Sequence, residues 1–362
     1  MPETAVSQSA IYSARPTLRI ASQEEARVSE LLTAMKVEES EGGMSSLELR
    51  FIDWVATGNG RAELAFDGSS TLKLGADLSV YAGEDAAPRE IFHGKVSALE
   101  MVCNFGAPPE LVVLAEDELT AARRGRRTKI YSAMSPADVV NAVAGNLNLS
   151  PSVTGLGSPT GTWAQLNETD LGFLRRLLSH FDADLQIVGT QLQVAERQNV
   201  SRGVIDLTLY SQLARVRVCA DLADQVTAVT VAGWNARDGA AVSGTASSLT
   251  HAGPGQGRDG SAWAQEVFAT RSEHIGQHAV DSSAEAQAVA SAAFDQRTRR
   301  FVRAEGVAEG NAQLRVGSQV RLAGISPQFD NTYYVVQACH RFDMSQGYRT
   351  EFRAECAYLG GP

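Results

Sequence analysis

The residues best suited to chemistry in this 362-residue chain are few and scattered. Gly255-Gln-Gly257-Arg-Asp-Gly260 has the spacing of a dinucleotide-binding loop, whose amides hold a pyrophosphate where a strand gives way to a helix. The preceding SSLTHAGP reads as loop, and no acidic residue stands on a following second strand, so an exposed glycine-rich loop is expected. Gly155-Leu-Gly157-Ser-Pro-Thr-Gly161 misses that spacing. His274 and His278 stand four apart, which would place both on one helical face. A hydrolytic zinc site also needs a third ligand and a glutamate between the pair, and Gly276 interrupts the segment. His93, His180 and His340 are single histidines beside apolar runs and read as satisfied polar groups. Neither a GxSxG elbow nor an assignable Ser, His and Asp set is present. Glycoside cleavage would need two opposed carboxylates, one held protonated by an apolar pocket. Glu38, Glu39 and Glu41 instead read together as a solvated turn. Arg123-Arg-Gly-Arg-Arg127, continuing to Lys129, is the one dense basic patch, read as a solvated linker that could dock an acidic partner loop. The expectation is therefore no catalytic, cofactor-binding or metal-ligating residue, and no cofactor.

What the sequence writes clearly is scaffolding. In NETDLGFLRRLLSHFDADLQIVGTQLQV (167–194), Asn167 is the predicted N-cap, with Asp170 reaching back to it. Leu171, Leu174, Leu177, Leu178 and Phe181 then share one helical face. The Gly189-Thr190 turn predicts a hairpin that sets Ile187 opposite Leu192 and Leu185 opposite Val194. Upstream, LELRFIDWV, RAELAFD, TLKLGADLSVY, EIFHGKVSALEMV and ELVVLAEDEL alternate as strands. Ser135-Pro136-Ala-Asp138 starts a helix. Downstream, VIDLTLY, LARVRVCA and QVTAVTVAGW are strands, followed by a polar loop-rich insertion, the helical AEAQAVASAAFDQRTRRF, and strands again. LKLGADLSVYAG (72–83) also aligns with LRVGSQVRLAG (314–324) across a one-residue gap, which points to two related all-β stretches.

Composition sets the bounds. Hydrophobic residues make up 44% and charged residues 20%, ordinary for a globular protein, and the length implies two or three domains. A net charge of −10 argues against wholesale nucleic-acid binding. Cys103, Cys219, Cys339 and Cys356 lack CxxC spacing and sit in apolar strand-like runs, so buried reduced thiols are expected. The N-terminal MPETAVSQSAIYSARP has neither the basic nor the apolar region of a signal peptide, and no run of apolar residues is long enough to span a bilayer. Synthesis and folding in the cytoplasm are the expectation.

Three stretches, in order, carry a resemblance. TKIYSAMSPADVVNAVAGNLNL (128–149), the Asn-x-Thr-Asp-x-x-Phe-Leu-x-x-Leu helix with its hairpin (167–194), and VGSQVRLAGISPQFDNTYYVVQACHRFDMSQGYRTEF (316–352) resemble the baseplate hub family of contractile tails. That family includes phage late control gene D proteins, the hub half of VgrG, and hubs of extracellular contractile injection systems. The first hundred or so residues match it in pattern only. The resemblance implies an α+β fold in which two antiparallel, tail-tube-like β-barrels flank a small helix-and-hairpin domain. The implied domains are 1–122, 123–200 and 201–362, the last with a loop and helix insertion at about 235–297. It implies a structural role without catalysis: a homotrimer that adapts a hexameric tail tube to a trimeric spike, in the baseplate of a virion tail or injection particle. Baseplate wedge proteins are further implied partners, and direct nucleic-acid or membrane contact is not expected. VgrG-type hubs continue into a β-helical spike, whereas TEFRAECAYLGGP ends this sequence, so a separate spike protein is expected. The alternative is a cell-wall-degrading or cell-wall-binding component of the same particle. Wall binding calls for an aromatic-lined groove, and aromatic residues are 7% of the chain, scattered among strands.

Overall fold

Period-two alternation builds most of the protein. The computed structural model describes residues 15–56, 61–66, 71–82 and 88–360. A first set of strands comprises β1 (Thr17–Ile20), β2 (Leu32–Ser40), β3 (Ser46–Ile52), β4 (Asp77–Ala82), β5 (Arg89–Val102) and β6 (Glu110–Glu116). In β3, Leu47, Leu49 and Phe51 enter the core while Arg50 and Ile52 face outward. RAELAFD gives only the two strand residues Ala62–Glu63, because Phe66 turns in against the Phe51 ring and its amide is held by Asp53.

A middle region follows: β7 (Arg126–Met134), α1 (Pro136–Asn146), β8 (Ser150–Thr154), β9 (Gly161–Thr169), α2 (Asp170–Ser179), β10 (Ala183–Val188) and β11 (Gln191–Glu196). Ser135 and Asp138 form a reciprocal cap on α1. The β10–β11 hairpin has the predicted register, with Gly189 at φ +60°. The cap of α2 is corrected by one ladder. β9 stays paired with β7 through Thr169, with Asn167 in a bulge of that ladder at φ +51°, and the Thr169 hydroxyl accepts from the Gly172 amide. Asp170 is buried against Gln165 and Arg127 instead. The leucine face of α2 is buried as expected, with Phe173 added to it.

The rest of the chain runs β12 (Val204–Thr208), β13 (Leu213–Ala220), β14 (Ala228–Asn235), β15 (Ala240–Ala246), α3 (Gly260–Phe268), β16 (Ser272–Ile275), α4 (Ser283–Arg299), β17 (Val302–Glu309), β18 (Gln319–Ala323), β19 (Asn331–Asp343) and β20 (Gly347–Cys356). The stretch read as loop-rich supplies β15 and β16, which join β14, read as a strand, in a three-stranded sheet, β15-β14-β16, with α4 packed on it. Val229, Val231, Ile275, Val289 and Phe294 belong to its core. β15 lacks bulk because the packing excludes it: a Cβ on Gly244 would lie 2.3 Å from the backbone of Gln287.

The remaining strands form a second set that repeats the first. The ladder orders are β1-β4-β5-β6-β3-β2 and β12-β18-β19-β20-β17-β13. Two bulges coincide. β5 slips between Val96 and Ala98 against β6, as β19 does between Val335 and Gln337 against β20. β2 slips between Leu32 and Ala34, as β13 does between Leu213 and Arg215. Gly75 and Gly317 of the aligned LKLG and LRVG segments share positive φ, while Gly83 lies outside the described residues. Two departures stand out: the slip between Val80 and Tyr81 in the β4–β5 ladder has no counterpart between β18 and β19, and β1 runs antiparallel to β4 but β12 runs parallel to β18.

The two sets are one sheet. β19 is long enough to pair first with β18 and then, from Gln337 to Asp343, with β2. The ladder therefore passes from one set to the other instead of returning on itself. Two separate closed barrels were expected; the described strands form a 13-stranded, largely antiparallel sheet with no closed barrel, in a mostly β, α+β fold.

Candidate functional site

The chain's densest buried polar chemistry lies where the sheet meets the middle region. The turn Glu41-Gly-Gly-Met-Ser between β2 and β3 is clasped from below. Asp184 accepts from the Gly42 amide at 2.6 Å, and Arg175 donates to the carbonyls of Gly42 and Gly43 at 2.6 and 2.7 Å. Gly43 must be glycine: its φ is +70°, and a Cβ would stand 2.9 Å from the Leu185 carbonyl. Beside this turn Arg197 is buried between Glu41, 3.3 Å away, and Glu355 of β20, 3.1 Å away, with its guanidinium 4.2 Å over the Tyr334 ring. Burial raises the Glu41 carboxyl to about 7 against the opposing pull of Arg197. Nearby, Arg299 of α4 pairs with Asp182 and donates to the His251 carbonyl. Arg315 pairs with the fully buried Glu39 under the β2–β19 junction and donates to the Glu90 carbonyl at 3.1 Å. These pairs tie both strand sets, the middle region and α4 together. Arg197, Arg299 and Arg315 each have a carboxylate and Arg175 has two backbone carbonyls, so the seam is built to fix geometry.

The sheet face away from the core carries crossed charges: Arg353–Glu305 at 3.2 Å, Arg341–Glu351 at 3.0 Å, Lys36–Glu38 at 2.8 Å and Arg50–Glu48 at 2.8 Å. This half-exposed polar face runs without a break across the junction of the two sets.

The residues singled out in the sequence go to other uses. Glu39 and Glu41 are no solvated turn; strand alternation buries Glu39, and the seam takes Glu41. The signal was there, since KVEES continues the β2 pattern. The Gly255–Gly260 loop is not free: Asn331 holds the Gln256 amide and carbonyl, and a Cβ on Gly257 would strike the Gly360 carbonyl at 2.0 Å. Asp259 then caps α3. His274 lies in β16 and not on a helix, while His278 sits with its ring 4.4 Å from His180. Burial first, then His278 and Arg176, lower His180 to about 4. His93 bonds Ser79 and His340 bonds Tyr348, both at 2.8 Å, and burial lowers His340 to about 3. Among the described residues no group of three or more His, Cys, Asp or Glu is placed to hold a metal, and no helix is long and apolar enough to cross a membrane. In the basic patch, Arg123 pairs with Glu116, Arg127 with Asp170, and Arg126 donates to the Asn167 carbonyl. The cysteine expectation is half corrected: Cys339 and Cys356 are buried, but Cys103 and Cys219 are exposed, the first beyond the end of β5 and the second on the outermost strand β13.

Comparison with known proteins agrees with this picture. Residues 30–343 match the family described as Alg8 N-terminal domain. No curated protein matches the chain in sequence. Among solved structures, the 43 kDa tail protein of prophage MuSo2 from Shewanella oneidensis is similar at a TM-score of 0.68 and 11% identity, covering 94% of this chain and 97% of that one. A tail protein from Neisseria meningitidis is similar at 0.67 and 11%, covering 95% and 97%. An E. coli component of the type VI secretion system, described as structurally similar to T4 bacteriophage tail proteins, is similar at 0.56 and 13%, covering 95% and 79%. The resemblance to tail hub proteins seen in the sequence is thus matched by the fold.

Proposed function

The chain belongs to the Alg8 N-terminal domain family, and from its tail-protein fold, not from that family, we propose that it is the structural baseplate hub of a contractile tail or injection system. In this reading three copies form a ring whose upper face meets a hexameric tube protein and whose lower face holds a trimeric spike. Residues 1–122 and 201–362 act as two tail-tube-like units and residues 123–200 as the bracket between them. The observation that carries the reading is the repeated six-strand order, with two bulges in common, joined edge to edge by β19 and β2. A unit written twice in one chain lets three chains present six similar faces, which is what joining sixfold to threefold symmetry requires. The charged seam serves this role by fixing the angle between the two units, and the polar face lines the channel. In this reading the protein has no catalytic task and works within the particle, with wedge proteins as neighbours.

Light scattering coupled to size exclusion, with and without the spike protein, tests the reading. Association costs several kcal/mol in lost freedom, and chains of net charge −10 repel, so monomer or weak trimer is expected alone and stable trimer with the spike. A stable dimer or tetramer indifferent to the spike overturns it. Turnover of purified peptidoglycan, expected to be nil, separates it from a wall-degrading component.

A further inference from the structure

Two imidazoles meet where the middle region touches the unit inserted between β13 and β17. His180 closes the C-terminal end of α2, and His278 stands in the 276–282 loop that joins β16 to α4. Their rings lie 4.4 Å apart, centroid to centroid, inclined at 63°. Phe181 stands beside His180 at 6.5 Å, and Trp163 meets Phe181 edge-on at 5.6 Å, so the pair sits against an aromatic wall. A cleft of about 320 Å³ runs along the same boundary, with Phe181 and Asp182 on one wall and Ala288, Ala292 and Asp295 of α4 on the other.

The charges that act on the pair are positive. Arg176, one turn back in α2, acts on both rings, although Glu168 also holds its guanidinium at 2.9 Å. From α4 the neighbouring side chain is the uncharged Gln296, which donates to the Ser179 carbonyl at 2.9 Å. The acids around the boundary are engaged elsewhere: Glu285 with the Asp281 amide, Asp295 with the amides of Thr250 and His251, and Asp182 with Arg299. His274 lies beside Gly276, at the start of the loop. Among the described residues no carboxylate acts on either ring. A helix C-terminus ordinarily favours a cation. Here the cation would enter a half-buried site that offers it only like charges.

We propose that the His180–His278 contact is an acid-sensitive latch: closed while both rings are neutral, it opens as they take up protons and frees the 276–282 loop from the end of α2. Once the loop leaves, both imidazoles reach water and regain their ordinary affinity for protons. The closed pair binds protons less tightly than the open pair. The latch therefore holds fully above 6.5 and weakens as pH falls towards 4. The rings titrate together, since a proton on one makes the second harder to add, and with both in place two cations share the site with Arg176. Two other ties cross the boundary without an imidazole, Arg299 to Asp182 and Gln296 to Ser179. The opening is thus local: it uncovers one edge of the cleft while the charged seam keeps the strand sets and the middle region in place.

Hydrogen exchange of the full-length chain, read by mass spectrometry and corrected for the pH dependence of the intrinsic rate, tests the latch. Between about pH 7.5 and about pH 4.5 the opening equilibrium should rise about 100-fold. Residues 276–282 and 177–182 should lose protection accordingly, while α1 and the β10–β11 hairpin keep theirs. His180→Gln, which keeps a polar side chain but cannot titrate, should remove most of the change, and the double variant with His278→Gln all of it. Should His180→Gln fold poorly, His278→Gln at its half-exposed loop position reports on the other ring and should shrink the change several-fold. Imidazole NMR supplies a readout that packing alone would not move. In His278→Gln, His180 should take up its proton at higher pH than in the native chain, because a like charge has gone. Protection of the loop that ignores pH, a loss of equal size in the variants, or a loss shared by α1 and the hairpin overturns the latch. A His180 titration indifferent to residue 278 overturns it too.

Discussion

The two strand sets have one ladder and two interiors. In the first set Leu49 of β3 stands opposite Val113 of β6; in the second the same pair of positions holds Gly306 of β17 and Phe352 of β20. Bulk has moved across the sheet while the register has stayed. Their connections differ as much. β2 reaches β3 through a five-residue turn, Glu41 to Ser45, whereas between β13 and β17 the chain builds a separate sheet and the long helix α4. Backbone pairing, set by alternation and bulges, tolerates both kinds of change, because a ladder constrains only where each residue sits and on which face. Core filling has to be solved locally.

The sharpest test exchanges the interiors. Gly306→Leu should destabilise by about 3 kcal/mol or more, since its Cβ would already lie 2.5 Å from the Phe352 ring, and Phe352→Val should cost about 2–4 kcal/mol through the void. The double variant, which writes the first set's pair into the second, should recover much of the loss in a denaturation midpoint. Simple additivity of the two would mean the positions are not equivalent. Next in size is the seam between the sets. Arg197→Met strands Glu41 and Glu355 and should cost about 3 kcal/mol, read by thermal unfolding. Glu41 itself gives a pH signature. Its carboxyl is raised from 4.5 to about 7, so the folded state holds that proton more tightly than the unfolded state. Its contribution is full below 4.5 and is lost as pH rises through about 7. The difference between native and Glu41→Gln midpoints should therefore change by on the order of 1–2 kcal/mol over that window; a difference that stays constant with pH would remove Glu41 from the seam. The smallest change lies outside both sets. Thr169→Ala should cost about 1 kcal/mol through the lost cap, and Asn167→Ala distinctly less, by urea titration.

Those last two residues show where the sequence was readable. The leucine face of α2 and the β10–β11 register were legible because periodicity and a Gly-Thr turn are local signals. The cap was misplaced by two residues because the ladder with β7 runs on to Thr169 and leaves Asn167 in a bulge, and no local pattern announces that. The repeat was visible at LKLG and LRVG, but not the fusion of the sets, which depends on β19 outlasting its pairing with β18. β15, in the sheet under α4, escaped for another reason: a strand that must approach a helix closely is made largely of Gly, Ala, Ser and Thr, and so looks like loop. The seam was hidden most completely. Three glutamates in four residues suggest water, and only the positions of Arg197 and Arg315, far along the chain, reverse that reading.

The exchange of bulk between the sets also bears on how the chain finds its strands. Two copies of one backbone plan offer each strand a wrong partner of the right length and register, a hazard for any chain that carries a duplicated sheet. Here the interiors tell them apart. Were β3 to seat against β20, Leu49 would meet Phe352 in the space that Gly306 leaves for the ring; were β17 to seat against β6, Gly306 would face Val113 across a gap. One mistake is crowded and the other hollow, and each forfeits a few kcal/mol at the stage when strands choose their neighbours. A glycine and a phenylalanine facing each other thus sort the two halves of the sheet while the protein is still assembling itself.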